Sequence, residues 1–375
     1  MNHLNETHSR KHIGFIGFGL IGGSIAKALK KTSPDISIYA YNHLDYPNEE
    51  LELARSDKVI DKIYVSLEEL VPKCDIIFLC TPVLTNIAYL SKIKPYINSN
   101  CIITDVGSVK GNIHDCVEEL NLENNFIGGH PMTGSEKTGY KNSYDLLLEN
   151  AYYILTPTEK TPREMVDFLY SLVKDIGSIP IILDAKDHDE ITAAISHVPH
   201  IIAAQLVNLV ADSGDKADKM KALAAGGFKD ITRIASSSPT MWQNICLTNG
   251  DEIKKILKLY IDSLIEVSDA ISEKDNDSLY NIFDKAREFR DGIPNEGNGL
   301  IAKTHEIFLD IVDEAGAIAT IATLLAKSHI SIKNIGIVHN REFQEGVLRI
   351  EFYDEAAVIS ASDLLRESNY KVYER

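Results

Sequence analysis

The segment GGHPMTGSEK at 128–137 sets a histidine between a glycine pair and a proline, with a serine and a glutamate close behind. Glycines and a proline read as a loop, and a loop of small residues is a poor place to bury an imidazole for packing. A loop imidazole titrating near neutrality can accept a proton from a substrate, so His130 is a candidate general base. Three further stretches carry matching chemistry. TDVGSVKG (104–111) closes an apolar run with Ser108 and Lys110, at a strand end where open α/β sheets bind ligands. ISHVPHIIAAQLV (195–207) spaces His197 and His200 three apart, on one side of a helix. GGFKDITRIA (226–235) follows glycines with Lys229, Asp230 and Arg233. Each has a plain structural reading when taken singly: satisfied core histidines, an i,i+3 ion pair between Asp230 and Arg233, a helix cap at Ser108. No HExxH or similar close ligand set occurs, so no metal is expected.

These groups need a scaffold, and its first piece is a glycine fingerprint. Gly17, Gly19 and Gly22 form G-x-G-x-x-G where the apolar run IGFIGFG meets the helix-spaced LIGGSIAKALKK. The first glycine permits a tight turn, the second lets a pyrophosphate approach the backbone, and the third lets helix and strand pack closely. Leu20 and Ile21, at the helix start, and Thr81, after the run CDIIFLC, join them as candidate cofactor contacts. The ribose-reading position at the end of the second strand holds Asn42 rather than an acid. Asn bonds a ribose hydroxyl but does not repel a 2′-phosphate, and His43 follows it. NAD is the expected cofactor, with NADP the alternative.

Further apolar runs at 36–41, 74–82, 101–108 and 150–157 alternate with helical segments. This pattern predicts a Rossmann-type, doubly wound parallel sheet covered on both faces over 12–186. From 187 to 290 the pattern is helical, with interruptions expected at 226–230 and 236–239. A Gly/Pro/Asn-rich linker is expected at 291–302. The segment 303–375 reads βαββαβ, a small ferredoxin-like sandwich.

The chain has 375 residues and a net charge of −17, which argues against a nucleic-acid or anionic-membrane partner. Five scattered cysteines without a CxxC predict reduced, cytoplasmic thiols. The polar start lacks a signal-peptide core, and no uninterrupted apolar run approaches the roughly 18 residues of a membrane helix.

GFIGFGLIGGSIAKALK, DVGSVK, GGHPMTGSE, SHVPH and GGFKDITRIA, followed by MW at 241–242, resemble in order the motifs of prephenate dehydrogenases, the TyrA-type enzymes of tyrosine biosynthesis. The tail DEAGAIATIATLLAKSHISIKNIGI resembles an ACT domain, an amino-acid-binding regulatory module. The resemblance implies oxidative decarboxylation of prephenate to 4-hydroxyphenylpyruvate. His130 would take the proton of the substrate's ring hydroxyl, and Ser108 would hold that hydroxyl and the imidazole. Arg233 would bind a substrate carboxylate, with His200, and less strongly His197, in contact with substrate. Glu136 and Asp230 would join a polar network gating the pocket. The resemblance also implies a homodimer built through the helical region. Tyrosine feedback would act through the ACT turn containing Asp313, Ala315, Gly316, Ala317 and Ile318. Arogenate dehydrogenase, with an amino-bearing substrate, is the near alternative, and a catalytically inactive nucleotide and amino-acid sensor the distant one.

Overall fold

The first half of the chain supplies eight strands: β1 (His12–Ile16), β2 (Ser37–Tyr41), β3 (Lys62–Tyr64), β4 (Ile76–Leu79), β5 (Ile102–Asp105), β6 (Phe126–Pro131), β7 (Tyr152–Pro157) and β8 (Ile179–Ile182). In the computed structural model, which describes residues 12–44, 48–134, 137–293, 305–311, 316–338 and 346–374, they form one sheet. Its order is β3-β2-β1-β4-β5-β6-β7-β8. The first six strands run parallel, with the reversal of strand order between β1 and β4 that marks the ligand crevice of dinucleotide-binding sheets. β7 returns antiparallel to β6, so the sheet is mixed rather than wholly parallel. Among the described residues their connection holds only a short turn, Tyr140–Asn142, and no crossover helix to restore the direction.

Both faces are covered because the strands are apolar on both sides. One face packs Ile13, Phe15, Ile38 and Phe78 against Leu29, Leu51, Leu169 and Val173 of the helices Leu20–Thr32, Glu49–Ser56 and Arg163–Asp175. The other packs Ile16, Ile77, Leu79 and Ile103 against Leu90, Ile113 and Val117 of the helices Val83–Ile93 and Gly111–Glu119.

Beyond β8 the chain is helical. A short apolar cluster of Val83, Val109, Ala193, Val198, Ile245 and Ile253 ties this region to the sheet. The break expected at 236–239 occurs, with a helix starting at Pro239. The one expected at 226–230 does not: those residues form the helix Gly226–Thr232, because two glycines open the helix instead of ending it. The helical stretch Ala185–Ala211 runs unbroken and passes for a membrane-crossing helix by length and composition alone. Its composition is interrupted by polar residues, but His188, Asp189, Thr192 and His197 all make hydrogen bonds inside the protein. Its first half carries the buried His188, Asp189 and His197.

Residues Met1–Gly299 and Leu300–Arg375 separate into two compact units. The second contains β9 (His305–Ile311), β10 (Ile332–Val338), β11 (Gly346–Phe352) and β12 (Val372–Glu374), in the antiparallel order β10-β11-β9-β12. With the helices Ala317–Lys327 and Glu355–Glu367 it is the expected βαββαβ sandwich, consistent with an ACT domain. Its core is Ile307, Leu309, Ile321, Leu325, Ile350 and Leu365.

Candidate active site

At the β1 turn, Gly17 has φ +92°, and a Cβ there would sit 2.7 Å from the Cys80 backbone. A side chain is therefore excluded by both conformation and space. A Cβ on Gly22 would lie 3.0 Å from the Gly17 carbonyl, which is why helix and strand can approach so closely. Gly19 is different: its Cβ would meet nothing within 4 Å. Gly19 caps the helix Leu20–Thr32 without a side-chain hydrogen bond, and the first turn has no acidic residue. Open space, free helix-terminal amides and the positive end of the dipole fit a pyrophosphate. Thr81 lies across the crevice after β4, with its hydroxyl and amide both bonded to Asn86 Oδ1 at 2.5 and 3.1 Å. Asn42 follows β2, buried, with its side-chain oxygen accepting from the Leu44 amide at 3.1 Å.

His130 is not in a loop. It is the fifth residue of β6 and only 9% exposed. The glycines before it serve space rather than flexibility. A Cβ on Gly128 would fall 2.2 Å from Thr156 Oγ1, and one on Gly129 would fall 2.4 Å from the Asp105 carbonyl oxygen. Around this strand lies a wholly buried ion pair between Lys110 and Asp105. Lys110 Nζ also donates to the Gly129 carbonyl at 2.7 Å, while Asp105 accepts from the Gly129 amide at 3.1 Å and the Gly107 amide at 2.8 Å. The pair thus clamps both polar groups of the residue preceding the histidine.

The His130 ring has a partner that the sequence reading did not single out. His130 Nδ1 lies 2.8 Å from His188 Nε2, and His188 Nδ1 lies 2.8 Å from Asp189 Oδ1. The Asp189 carboxylate accepts from the Lys110 and Gly111 amides at 2.8 and 2.7 Å, capping the helix Gly111–Glu119 with negative charge. Asn249 Nδ2 binds the Asp189 carbonyl at 2.9 Å and approaches His197 Nδ1 at 3.1 Å.

A π-helical turn, Ala193–His197, separates His188 and Asp189 from His200. Pro199 follows it; the wider turn accommodates a ring that cannot donate to the preceding turn. His200 Nδ1 donates to the Ser196 carbonyl at 2.8 Å, and its ring stacks on Trp242 at 3.9 Å. Arg233 is exposed, and its charge reaches His200.

Burial is the main reason that His130 is held well below the usual imidazole range, with His188, Lys110 and His197 adding to it. The expectation of a near-neutral loop histidine is therefore corrected: His130 is a base that stays unprotonated well into acid. Burial likewise lowers His114 and His188, and it takes His197 to about 4. Unfolding returns each to about 6.5, so between the folded values and 6.5 the unfolded chain binds more protons. Their stabilising contribution is full above pH 6.5 and drains away as pH falls toward 4. We expect the urea midpoint of this unit to drop between pH 7 and pH 5; an unchanged midpoint would contradict the burial of these rings.

His130 and Ser108 sit at the carboxyl ends of the adjacent parallel strands β6 and β5, Ser108 half-buried. Electrostatic reach links His130 to His197, His197 to His200, and His200 to Arg233. Asp230 is exposed on the helix before Arg233 and forms no ion pair with it among the described residues. Glu136, Asp313 and Ala315 lie outside the described residues. In the second unit Gly316, at φ +100°, caps the helix that Ala317 and Ile318 begin, with Ile318 partly exposed. Sequence reasoning missed His188, Asp189 and Asn249; the one available signal was the histidine inside the charged run KDHDE.

A glycine turn that fits a pyrophosphate and a buried histidine on another strand of the same sheet are the marks of a nicotinamide-dependent dehydrogenase. Residues 25–181 match the model of the prephenate dehydrogenase nucleotide-binding domain, and 184–285 that of the prephenate dehydrogenase dimerization domain. The chain belongs to the prephenate dehydrogenase family. It is 37% identical to prephenate dehydrogenase of Bacillus subtilis (strain 168) over 95% of this chain and 94% of the relative. It is 33% identical to that of Lactococcus lactis over 96% and 98%. The structure of A. aeolicus prephenate dehydrogenase, in complex with hydroxyphenyl propionate and NAD+, superposes with TM-score 0.71 at 31% identity, covering 77% of this chain and all of the other. Synechocystis arogenate dehydrogenase gives 0.67 at 30%, covering 75% and 99%. The protein is thus an NAD(P)-dependent dehydrogenase acting on a prephenate- or arogenate-like substrate.

Proposed function

We propose that the protein oxidatively decarboxylates prephenate to 4-hydroxyphenylpyruvate with NAD, as a cytoplasmic homodimer inhibited by tyrosine. The observation carrying this reading is His130, unprotonated and bonded through Nδ1, beside a crevice whose glycine turn fits a dinucleotide. Gly17, Gly19, Leu20, Ile21, Gly22, Asn42 and Thr81 would hold that cofactor. Its nicotinamide, when bound, supplies the acceptor for the hydride leaving the ring carbon that bears the hydroxyl. His130 takes the hydroxyl proton, and Ser108 orients the hydroxyl. Arg233 holds a carboxylate of the dianion, a task for a bidentate donor in a protein of net charge −17. Full-length similarity to two prephenate dehydrogenases favours prephenate over arogenate, and the NAD+ complex of a relative favours NAD.

Residues 12–186 would form the nucleotide-binding domain, 187–290 the substrate and dimerisation domain, and 303–375 the regulatory domain after a linker at 291–302. Exposed Leu264, Ile265, Phe283 and Phe289 support a dimer face on the helical part, and five free cysteines support a reducing compartment. Tyrosine would bind at the turn around Asp313, Ala315, Gly316, Ala317 and Ile318, with Glu136 and Asp230 gating the substrate pocket.

The test is absorbance at 340 nm with prephenate or arogenate and either cofactor, repeated with tyrosine. Turnover confined to arogenate would overturn the substrate, preference for NADP the cofactor, and indifference to tyrosine the regulation. Arg233→Ala should raise KM for prephenate about 10- to 100-fold with kcat largely kept, since a charge-assisted bond is worth roughly 1.5–3 kcal/mol. An unchanged KM would remove Arg233 from carboxylate binding.

A further inference from the structure

We infer that His188 and Asp189 form a proton relay behind His130: His188 sets the tautomer of the catalytic ring and receives the proton that His130 takes from the substrate. The inference rests on the proposed role of His130 as base. Its starting point is the line of contacts running from His130 Nδ1 to His188 Nε2 and from His188 Nδ1 to Asp189 Oδ1, each 2.8 Å.

The direction of each bond follows from Asp189. Its carboxylate already accepts two backbone amides and caps a nine-residue helix, so it is an acceptor toward His188 as well. His188 Nδ1 therefore carries hydrogen and donates. In neutral His188 this leaves Nε2 as a lone pair, and the proton between the two rings belongs to His130 Nδ1. His130 then presents an unprotonated Nε2 to the substrate, the form that a base requires. Without an acceptor behind it, the ring could equally carry its hydrogen on Nε2 and be useless for the first step.

The same contacts decide where a proton rests. His130 faces His188, Lys110 and His197, none of them anionic, so a cation on that ring is penalised. His188 faces Lys110 too, but it touches the Asp189 carboxylate and feels Asp105. A proton accepted at His130 Nε2, with the Nδ1 proton passed to His188 Nε2, leaves the positive charge on the ring that has a counter-ion. The step balances with the family chemistry. The hydroxyl O–H pair becomes a C–O π bond as hydride departs to the nicotinamide, and the proton lodges on His188. When CO2 leaves, its bonding pair passes through the ring to the oxygen, which reclaims the proton by the same path. His188 touches no substrate in this scheme and is a positioning and relay residue.

The test combines a ring measurement on the protein without ligands and kinetics on two variants. Histidine 15N NMR of the full chain, with His130 assigned by its loss in His130→Asn, should give the Nδ1–H tautomer. His188→Gln retains an acceptor for that hydrogen but cannot carry the proton onward, so the tautomer should persist while kcat falls about tenfold and KM stays within about twofold. His188→Phe removes the acceptor, so His130 should show mixed tautomers and kcat should fall about 100-fold, near the low end of general-base losses. The Gln variant keeps the question decidable if the Phe variant does not fold. An Nε2–H tautomer in the wild-type protein, or an unaltered kcat in His188→Gln, would overturn the relay. Absence of turnover by the wild-type protein on prephenate and arogenate would instead sink the proposed function, and the tautomer measurement would still decide the role of His188.

Discussion

His130→Asn is expected to lower kcat by about 10²–10⁴-fold while leaving NAD affinity within a few-fold of wild type. The loss should fall on kcat because the imidazole acts on a proton that moves only as the substrate is oxidised. Asn is close in size and keeps an amide at the position facing His188, so the strand packing around Gly128 and Gly129 should survive. The pH dependence is part of the prediction. His130 lies well below 6.5, so the neutral base is fully present from neutrality down through the usual histidine range. In wild type, kcat/KM should therefore be flat across pH 6.5 to 7.5 and decline only in more acid solution, as the ring finally protonates. An acid limb centred near 6.5 would mean that the ring is more exposed to solvent than its 9% accessibility implies. Turnover near wild type in His130→Asn, with cofactor bound as usual, would take the histidine out of the reaction.

The sequence revealed those features whose cause is local. Gly17, Gly19 and Gly22 announce a turn, an approach and a packing contact within six residues; Gly17 makes the turn, Gly22 the packing contact, and Gly19 faces open space. The βαββαβ rhythm after residue 303 is equally local, since each strand and helix carries its own periodicity. His130 was visible as a residue but misplaced as an element. GGHP has the composition of a loop, whereas its glycines are needed because Thr156, Asp105 and Lys110, from elsewhere in the chain, occupy the space where side chains would stand. Nothing within ten residues of His130 could report that crowding. The direction of β7 escaped for a related reason, since apolar runs reveal burial on both faces but not which way a strand runs. His188 and Asp189 were hidden by polarity: KDHDE reads as a solvated run at a domain seam, yet the histidine is fully buried and the aspartate nearly so. Their burial comes from contact with β6 and the start of the helix Gly111–Glu119, some sixty to eighty residues upstream.

Lys110→Met should cost about 3–5 kcal/mol of stability in the first unit, the usual consequence of leaving one partner of a buried ion pair alone. Both side chains are wholly inaccessible, so water cannot replace the lost ammonium. The stranded Asp105 would keep only the Gly107 and Gly129 amides, and the Gly129 carbonyl would lose its donor. Adding Asp105→Asn to Lys110→Met should recover part of the loss at pH 7, because a neutral amide can still accept from Gly107 without carrying a buried charge. Urea unfolding of the wild type, the single variants and the double variant measures the coupling directly. A loss below about 1 kcal/mol would show that the ion pair is not what fixes Gly129. The strand bearing His130 would then owe its position to packing alone.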